Sequence, residues 1–369
     1  MKAAPTRPYL SVIVPAFQGQ HVLPKSLAAL RASSVPAEAW ELIVVDDASL
    51  DDTAVVAAEF ADTVVRLPGK PRGPAYARNR GAEVARGEII VFVDADVCVH
   101  ADTLARFAKV FATEPDVGAV FGSYDASPPA SNFVSQYRNL LHHYHHQING
   151  GEAQTFWAGC GAIRAGVFTA ADRYDEWHFS RPQIEDIELG NRIHAEGHRI
   201  VLRPEIQCTH LKHWTMRAML VTDLKDRGLP WARLLVAQGS TVKSTSLNLR
   251  TREKICTVLV WTAFLIVAAS VLTAQLELAL GALAALMPVL ALNRRLYAFF
   301  EQKRGVLFAL RVIPLHVLYY CMNGIAAGTG WFLHELVGGP APDPTVEAFS
   351  EIGFKTWPPV PSKRTTGWW

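Results

Sequence analysis

The sequence has few of the features that would indicate a disulfide framework, a zinc site or a nucleic-acid partner. Its 369 residues include only five cysteines, which lie far apart without a Cys-x-x-Cys pair, so we expect reduced intracellular thiols. The net charge is only +2, too small a basic excess to indicate nucleic-acid binding. No secretory signal is visible, because the apolar run at 9–16 is short and flanked by prolines. We therefore expect the N-terminal domain to stay in the cytosol.

Charged residues are also scarce, and this scarcity is concentrated in the C-terminal half. Half of the chain is hydrophobic and 19% is charged, which is more apolar than an ordinary soluble enzyme. Residues 255–272 carry no charge, and 276–292 carry a single glutamate. Each approaches the roughly 20 residues that a transmembrane helix needs. A third apolar stretch, 306–336, contains Arg311 and His316, and for it a span, a kink or a re-entrant segment all stay open.

Basic residues around the first two stretches predict their orientation. Four precede the first stretch and four follow the second: Lys243, Arg250, Arg252, Lys254, and then Arg294, Arg295, Lys303, Arg304. Positive-inside logic places both flanks in the cytoplasm. We expect a multi-pass protein of the inner (cytoplasmic) membrane. Residues 215–250 have the composition of a basic amphipathic interface segment, or of a helix packed on the N-terminal domain, and the proline-rich tail 338–369 has no assigned role.

The first hundred residues alternate between strand and helix patterns. Apolar, β-branched runs end at 15, 45, 67 and 93, and helical spacing of apolar residues lies between them at 21–32, 53–60 and 75–85. Four such alternations predict a parallel, doubly wound sheet. We take 1–214 as one α/β domain, with halves at about 9–125 and 126–214.

Carboxylates follow two of these strands at the point where each strand ends. Asp46 and Asp47 follow the second strand, and Asp94 and Asp96 follow the fourth as an Asp-x-Asp motif. Because ligands bind at the carboxyl ends of strands in an open sheet, we expect the four acids to lie close together. Alternation along an extended chain would place Asp94 and Asp96 on one side. Two such oxygen ligands suit Mg²⁺ or Mn²⁺, which indicates a nucleotide with a metal-bridged diphosphate.

Four motifs in this order resemble the pattern of family 2 glycosyltransferases. They are residues 12–17 (VIVPAF), 44–53 (VVDDASLDDT), 77–82 (ARNRGA) and 92–96 (FVDAD). Members of this family are inverting enzymes that use a nucleotide-sugar donor. The resemblance covers roughly residues 9–215 and implies a GT-A fold, Rossmann-like with a mostly parallel sheet and helices on both faces, followed here by an α-helical transmembrane module.

The resemblance also implies donor-binding roles. Phe17 would stack on the donor base, and Asp47 would hydrogen-bond base or ribose. Asp96 would be the main metal ligand, Asp94 would face the ribose or the metal's waters, and Arg78 would lie near the diphosphate. The full donor-binding set is Pro15, Ala16, Phe17, Asp46, Asp47, Gly73, Arg78, Asn79, Asp94, Ala95 and Asp96.

On the acceptor side, the resemblance implies a pocket and a catalytic base. The pocket strand would contain Trp157, Gly159, Cys160 and Gly161, whose small residues would allow a sugar or phosphate to approach. Asp186 would be the general base and Glu185 its orienting neighbour. A carboxylate suits this position because inversion requires the acceptor hydroxyl to lose its proton on the side opposite the leaving diphosphate.

Histidines provide two further candidates. The resemblance implies that either His210 or His213 reaches the donor phosphate or the metal; simple packing is the alternative reading. In the run 142–146, the side chains of His142, His145 and His146 share one helix face. A metal site is one reading of that face, and a solvated or acceptor-facing surface is the other.

Together these features predict a membrane-anchored inverting glycosyltransferase of the hexosyltransferase type. It would move a sugar, expected from a UDP-sugar, to a lipid-linked or glycan acceptor at the cytosolic leaflet, in cell-envelope polysaccharide or glycolipid synthesis. A processive polysaccharide synthase should show a Gln-x-x-Arg-Trp motif and more spans, whereas 211–214 offers only a tryptophan. A nucleotidyltransferase should carry a Gly-rich basic loop after the first strand, and 15–19 is not one.

Overall fold

The computed structural model describes residues 8–238 and 251–339 of the chain. Within these ranges the chain divides into two compact units. Unit one comprises the chain up to Met219 together with Arg294–Val312, and unit two comprises Leu220–Asn293 and the residues from Ile313 onward. Two sequence-based assignments fall partly outside the described ranges: residues 239–250 of the expected interface segment, and 340–369 of the tail.

The first half of unit one is the predicted alternation of strands and helices. Its elements are β1 (Leu10–Ala16), α1 (Leu23–Arg31), β2 (Trp40–Asp46), α2 (Thr53–Ala58), β3 (Thr63–Arg66), α3 (Pro74–Val84) and β4 (Ile89–Val93). The four strands pair in parallel in the order β3-β2-β1-β4. Strands β2 and β4 are buried throughout and β1 nearly so, because apolar, β-branched strands of this kind lie between two layers of helices. The doubly wound arrangement is confirmed for this half.

The second half of unit one makes the sheet mixed. Its elements are β5 (Val97–Val99), α4 (Thr103–Thr113), β6 (Val117–Tyr124), α5 (Phe133–Ile148), β7 (Gly151–Ala153), β8 (Cys160–Arg164), α6 (Ala165–Ala170), α7 (Glu185–Ala195) and β9 (Arg199–His210). Strand β8 lies between β4 and β6 and is antiparallel to both. Strand β9 is parallel to β6 and antiparallel to β5 and β7. This order places Cys160 opposite Val93, and His210 opposite Val97.

Helix α7 lies very close to the chain that leads into β8. A Cβ atom on Gly190 would lie 2.6 Å from the backbone carbon of Thr155, so the approach requires a residue without a side chain. The acidic N-terminal end of α7 is therefore held beside residues 155–158.

One helix from the C-terminal part of the sequence belongs to unit one. Helix α12 (Arg294–Arg304) packs on α5, where the rings of Phe300 and Tyr137 lie 5.8 Å apart. At its last residue, Nε of Arg304 donates to Oε1 of Gln136 at 2.7 Å. Arg304, which the sequence assigns to a membrane flank, thus also fastens this helix to α5.

Unit two is helical. The remaining helices of the described residues are α8 (Met216–Val221), a π-helical turn (Thr222–Gly228), α9 (Leu229–Gln238), α10 (Thr251–Thr273), α11 (Leu278–Leu292) and α13 (Val306–Val337). Residues 216–219 of α8 and 306–312 of α13 belong to unit one. Cys256, Val260 and Val289 form part of its apolar core. The buried carboxylate of Glu253 accepts a hydrogen bond from Oη of Tyr320 at 2.9 Å, so this acid is satisfied inside the helical unit.

Among the residues that the structure describes, two helices are long and apolar enough to cross a membrane, namely α10 and α13. The second predicted span, 276–292, is not a straight membrane-spanning helix in the structure. Helix α11 has 15 residues and is too short to cross a membrane alone. It is long and apolar enough only when it is counted together with α12 as one bent span, which would be the third. The break falls at Asn293, where the following Arg294 and Arg295 make a straight apolar continuation unfavourable in hydrocarbon.

Candidate functional site

The residues Asp94, Ala95 and Asp96 form a turn between β4 and β5, so the expectation of an extended chain does not hold. The carbonyl of Asp94 accepts the N–H of Val97 at 3.0 Å. Because the chain turns here, the two carboxylates do not share one partner. Oδ1 of Asp94 lies 2.7 Å from a guanidinium nitrogen of Arg78, whereas Asp96 faces a histidine at the end of β9.

Arg78 joins the donor edge of the sheet to the start of α7. Its guanidinium is buried and donates both to Asp94 and, at 2.9 Å, to Oε1 of Glu185. Burial alone would lower the pKa of this group, but the charges of Asp94 and Glu185 raise the pKa above its usual range. The arginine is therefore a permanent cation between two carboxylates that are 16 and 107 positions away in sequence. The prediction placed Arg78 near a diphosphate, and the structure places it between these acids.

The two acids that begin α7 lie in different surroundings. Glu185 is buried and also accepts the N–H of Gln183 at 2.8 Å. Asp186 is half-buried, and its Oδ2 accepts the N–H of Ala158 at 3.2 Å. Both carboxylates benefit from the positive end of the helix dipole. Asp186 thereby borders the segment predicted to line the acceptor pocket.

The small residues of that segment make room for Trp157. A Cβ atom on Gly159 would lie 2.6 Å from the Trp157 indole, and one on Gly161 would collide with the ring of Phe156. Cys160 is buried in β8. We expected these positions to admit a sugar, and the structure fills the space over Gly159 with the tryptophan ring, which is itself half-buried.

Asp47 organises the loop that precedes α3. Its carboxylate accepts the backbone N–H of Arg72 at 3.0 Å and of Gly73 at 2.7 Å. Burial raises the pKa of Asp47 above its usual value, against the opposing effect of these two amides. Gly73 has φ +90°, and a Cβ atom there would lie 2.6 Å from the backbone of Ser180. The position therefore requires glycine.

The first strand ends beside this loop with one exposed aromatic ring. Phe17 is 49% exposed, as a ring that stacks on a base must be. Pro15 is half-buried and Ala16 is buried. The carbonyl of Ala16 accepts a hydrogen bond from the N–H of Asp47. Asp46 is buried, and its Oδ1 accepts the N–H of Ser49 at 3.0 Å.

Asn79, predicted to bind the donor, is turned away from the donor edge. It is buried, and its Nδ2 donates to Oε2 of Glu176 at 2.6 Å and to the carbonyl of Tyr174 at 2.9 Å. Its Oδ1 accepts the N–H of Tyr174 in return. Asn79 thus holds the 174–176 turn against α3, and the sequence gives no signal for Glu176 as its partner.

His210 is the histidine that meets the acidic turn. Its Nε2 lies 3.4 Å from Oδ2 of Asp96, and its ring stacks on Tyr124 with centroids 4.3 Å apart at 8°. Burial would raise the pKa of Asp96, but the hydrogen bond and charge of His210 hold it below its usual value. His213 is exposed. Tyr124, which sequence reasoning missed, sets the plane of the imidazole.

The Asp96–His210 pair fits a divalent ion that draws its other ligands from substrate. No group of three or more metal-ligating side chains occurs among residues 8–238 and 251–339. Mg²⁺ and Mn²⁺ sites in enzymes that act on phosphates often use one or two protein ligands and complete the shell with water and phosphate oxygens. One carboxylate and one imidazole at the sheet edge meet that requirement.

The histidines of α5 serve packing and backbone hydrogen bonds. Nδ1 of His143 lies 2.7 Å from the carbonyl of Tyr124, and Nδ1 of His146 lies 2.9 Å from the carbonyl of Gly122. The ring of His142 packs 4.9 Å from that of Trp157. The metal reading of this face is not supported in the described part of the chain. Burial lowers the pKa of His146 to about 3.

We expect Arg78→Gln to destabilise the protein by about 3 kcal/mol, because the change leaves the buried carboxylate of Glu185 and the half-buried one of Asp94 without their cation. Thermal unfolding of the purified full chain measures this as a loss of several degrees in Tm. The control is Arg106→Gln, whose exposed partner is Asp102 at 2.6 Å and whose loss should cost no more than about 1 kcal/mol. Equal Tm values for the two variants would contradict the bridging role of Arg78.

We expect His146 to make the protein less stable in mild acid. The folded pKa is about 3 and the unfolded one about 6.5, so only the unfolded chain takes up the proton between these values. Stability is therefore complete above pH 6.5 and is lost as the pH falls, by up to about 1.4 kcal/mol per pH unit. His146→Gln should flatten the fall in Tm between pH 7 and 5. His194→Gln, at an exposed position, should leave the fall in Tm unchanged and serves as the control. If His146→Gln also leaves the dependence of Tm on pH unchanged, His146 is not the group that destabilises the protein in acid.

Comparison with known proteins agrees with this geometry. Residues 11–172 match the family model described as glycosyl transferase family 2. The chain is 31% identical over 105 residues to glycosyltransferase AglE of Haloferax volcanii, covering 27% of this chain and 34% of that protein. It is 28% identical over 118 residues to the Escherichia coli UDP-Glc:alpha-D-GlcNAc-diphosphoundecaprenol beta-1,3-glucosyltransferase WfgD, covering 31% and 46%. The chain therefore spans less than half the length of these relatives.

A solved structure shows the same fold over most of the chain. It is the mannosyltransferase PcManGT from Pyrobaculum calidifontis in complex with GDP-Man and Mn²⁺, with a TM-score of 0.58 at 21% identity, covering 89% of this chain and 88% of that one. The family match, the strand order and the acids at the sheet edge all indicate the same kind of domain. The chain therefore carries, at residues 11–172, a domain that matches glycosyl transferase family 2.

Proposed function

We propose that the chain is a membrane-anchored inverting glycosyltransferase that moves a sugar from a nucleotide-sugar, expected to be a UDP-sugar, to a lipid-linked or glycan acceptor. The observation that carries this proposal is the double ion pair of Arg78 with Asp94 and Glu185. It brings the acidic turn after β4 and the acidic start of α7 to one place. A glycosyl transfer needs both a donor site and an acceptor site, and we assign the turn to the donor and the start of α7 to the acceptor.

On the donor side, the exposed ring of Phe17 stacks on the base. Asp47 reaches base or ribose with the lone pairs that its two loop amides do not use, since an ionised carboxylate offers about four acceptor positions. Asp46 stays buried behind it. Because Asp47 also fixes the loop up to Gly73, its loss should disturb the loop and the nucleotide contact together.

Asp96 and His210 hold the divalent ion, Mg²⁺ or Mn²⁺. When bound, such an ion neutralises the negative charge that develops on the leaving diphosphate. The stack on Tyr124 orients the imidazole of His210 toward Asp96. The fold of the Mn²⁺-containing neighbour supports this assignment only at the level of architecture.

Asp186 is the general base. The acceptor hydroxyl attacks the anomeric carbon from the side opposite the leaving diphosphate, and a carboxylate on that side takes its proton. The neighbouring Glu185 is buried and paired with Arg78, so its charge is used structurally. Asp186 is half-buried and is oriented by the N–H of Ala158, which leaves the proton-accepting role to it.

The acceptor is proposed to be carried by a lipid at the cytosolic leaflet of the inner membrane. Two described helices, α10 and α13, can cross a membrane, and the relative WfgD acts by its name on a diphosphoundecaprenol-linked sugar. An enzyme that is held at a bilayer meets a lipid-borne acceptor without a search through the cytosol. The process served would be synthesis of cell-envelope polysaccharide or glycolipid.

The donor assignment is tested by screening the purified full chain against nucleotide-sugars with Mg²⁺ or Mn²⁺ and measuring release of the nucleotide. We expect Asp96→Ala to lower the rate by roughly a hundredfold or more, because stabilisation of the leaving group by a bound metal is worth several kcal/mol. Mn²⁺ binding, followed by electron paramagnetic resonance, should weaken in parallel.

The matched control is Asp102→Ala, an exposed acid that pairs with Arg106 on α4, and it should keep both activity and Mn²⁺ binding. If Asp96→Ala binds Mn²⁺ and turns over as the unmodified chain does, the metal assignment is lost.

Asp186→Asn separates two classes of acceptor. With a hydroxyl acceptor, loss of the base should lower kcat by roughly a hundred- to ten-thousandfold while nucleotide affinity stays the same. The exposed Glu196 lies just beyond the other end of α7, so Glu196→Gln is the control and should retain full activity. Near-normal turnover in Asp186→Asn would indicate a phosphate acceptor, which is already ionised, and would remove the base from the mechanism.

A further inference from the structure

A row of buried polar side chains on α5 binds the backbone at the end of β6. Three side chains spaced four and three positions apart, and so on one helix face, each bind one carbonyl: Asn139 that of Asp125 at 2.8 Å, His143 that of Tyr124 at 2.7 Å and His146 that of Gly122 at 2.9 Å. Because a carbonyl only accepts hydrogen bonds, both imidazoles carry a proton on Nδ1. Part of the histidine run of α5 therefore fixes the backbone of residues 122–125.

Asp125, directly after β6, joins this fixed segment to β9. The N–H of Asp125 donates to the carbonyl of Cys208 at 2.8 Å. Its Oδ2 accepts a hydrogen bond from Oγ1 of Thr209 and lies 3.1 Å from Nε2 of His100. Its Oδ1 accepts the N–H of Ser127 at 2.9 Å. Asp125 is buried, and a buried carboxylate requires such partners, so the ends of β6 and β9 are joined through backbone and side chain together.

The same two chain ends hold the imidazole of His210. Successive side chains of a strand point to opposite faces of a sheet, and Thr209 directly precedes His210 in β9. The contact of Thr209 with Asp125 therefore lies on one face, and the stack of His210 on Tyr124 lies on the other. Contacts on both faces keep β9 from sliding or twisting against β6. The 3.4 Å approach of His210 to Asp96 depends on that fixed position.

The cluster of Thr209, His100 and Asp125 is not arranged as a nucleophilic triad. In a triad, the carboxylate orients the imidazole and the imidazole takes the proton of the hydroxyl. Here the hydroxyl of Thr209 donates directly to Asp125, and Nε2 of His100 faces the same Oδ2. Because the carboxylate takes the proton of the hydroxyl bond, Thr209 is held in place and is not activated.

We propose that Asp125 and Thr209 are positioning residues that hold His210 beside Asp96 for binding of the divalent ion. This rests on the proposed function, which assigns Mg²⁺ or Mn²⁺ to Asp96 and His210. Asp125 is not itself assigned as a ligand, because its carboxylate is used by its protein neighbours. Groups that orient metal ligands typically contribute about ten- to a hundredfold to metal affinity, which is the size of effect expected here.

The test measures Mn²⁺ binding to the purified full chain with UDP by electron paramagnetic resonance. Electron spin echo modulation of the bound Mn²⁺ additionally detects a nitrogen ligand. The unmodified chain should show nitrogen modulation, and His210→Ala should abolish it. Thr209→Val removes the hydroxyl at nearly the same volume, and we expect it to weaken Mn²⁺ binding by roughly tenfold and to diminish the nitrogen modulation. Thr209→Ser keeps the hydroxyl and should restore both.

Substitutions of Asp125 give the second arm of the test. Asp125→Ala should behave as Thr209→Val does, whereas Asp125→Asn keeps an oxygen acceptor for Thr209 and should retain most of the Mn²⁺ affinity. The matched control is Thr113→Val. The hydroxyl of Thr113 donates to the carbonyl of Lys109 at 2.9 Å at an exposed position on α4, so its loss should change neither the Mn²⁺ affinity nor the nitrogen modulation.

The proposal is overturned if Thr209→Val and Asp125→Ala bind Mn²⁺ with unchanged affinity. It is also overturned if they lower Tm while the folded protein keeps its full nitrogen modulation, because the two residues would then serve folding alone. Either result leaves the metal assignment intact. Nitrogen modulation that is missing from the unmodified chain, or that persists in His210→Ala, would instead remove His210 from the metal site, and the positioning role with it.

Discussion

The buried cation of Arg78 is the interaction on which the site depends. Asp94 lies at the end of a parallel strand and Glu185 at the start of a helix more than ninety positions later, and one guanidinium binds both. A buried carboxylate without such a partner would be strongly disfavoured. Since each acid needs the same arginine, the donor edge and the helix that carries Asp186 cannot separate without exposing an uncompensated charge.

We propose that this arrangement divides the acids into structural and chemical members. In each acidic pair, one carboxylate holds Arg78 and the other faces a different group. Asp94 and Glu185 are the structural members, Asp96 faces His210, and Asp186 faces the backbone beside Trp157. The family match identifies the domain, and the different surroundings of neighbouring acids support the roles that we propose for them.

The sequence predicts the parallel half of the fold and the acids at its edge, because strand and helix patterns there repeat with clear periods and two of the four apolar runs are followed by carboxylates. It does not predict what each acid contacts. Asp94 and Asp96 diverge because the chain turns immediately after β4. Asn79 faces inward because it donates hydrogen bonds to Glu176 and Tyr174. These partners lie nearly a hundred positions away in the sequence, so a local pattern does not reveal them. The mixed second half depends equally on distant pairing, since β8 lies between strands that precede it in sequence.

A double-mutant cycle between Arg78→Gln and Glu185→Gln tests the central claim most directly. The free energies of unfolding of the unmodified chain, the two single variants and the double variant give the coupling between the two side chains. If the buried pair holds donor edge and acceptor helix together, the double variant should be more stable than the sum of the single losses predicts, by at least about 1 kcal/mol. Losses that add to within about 0.5 kcal/mol would contradict the account.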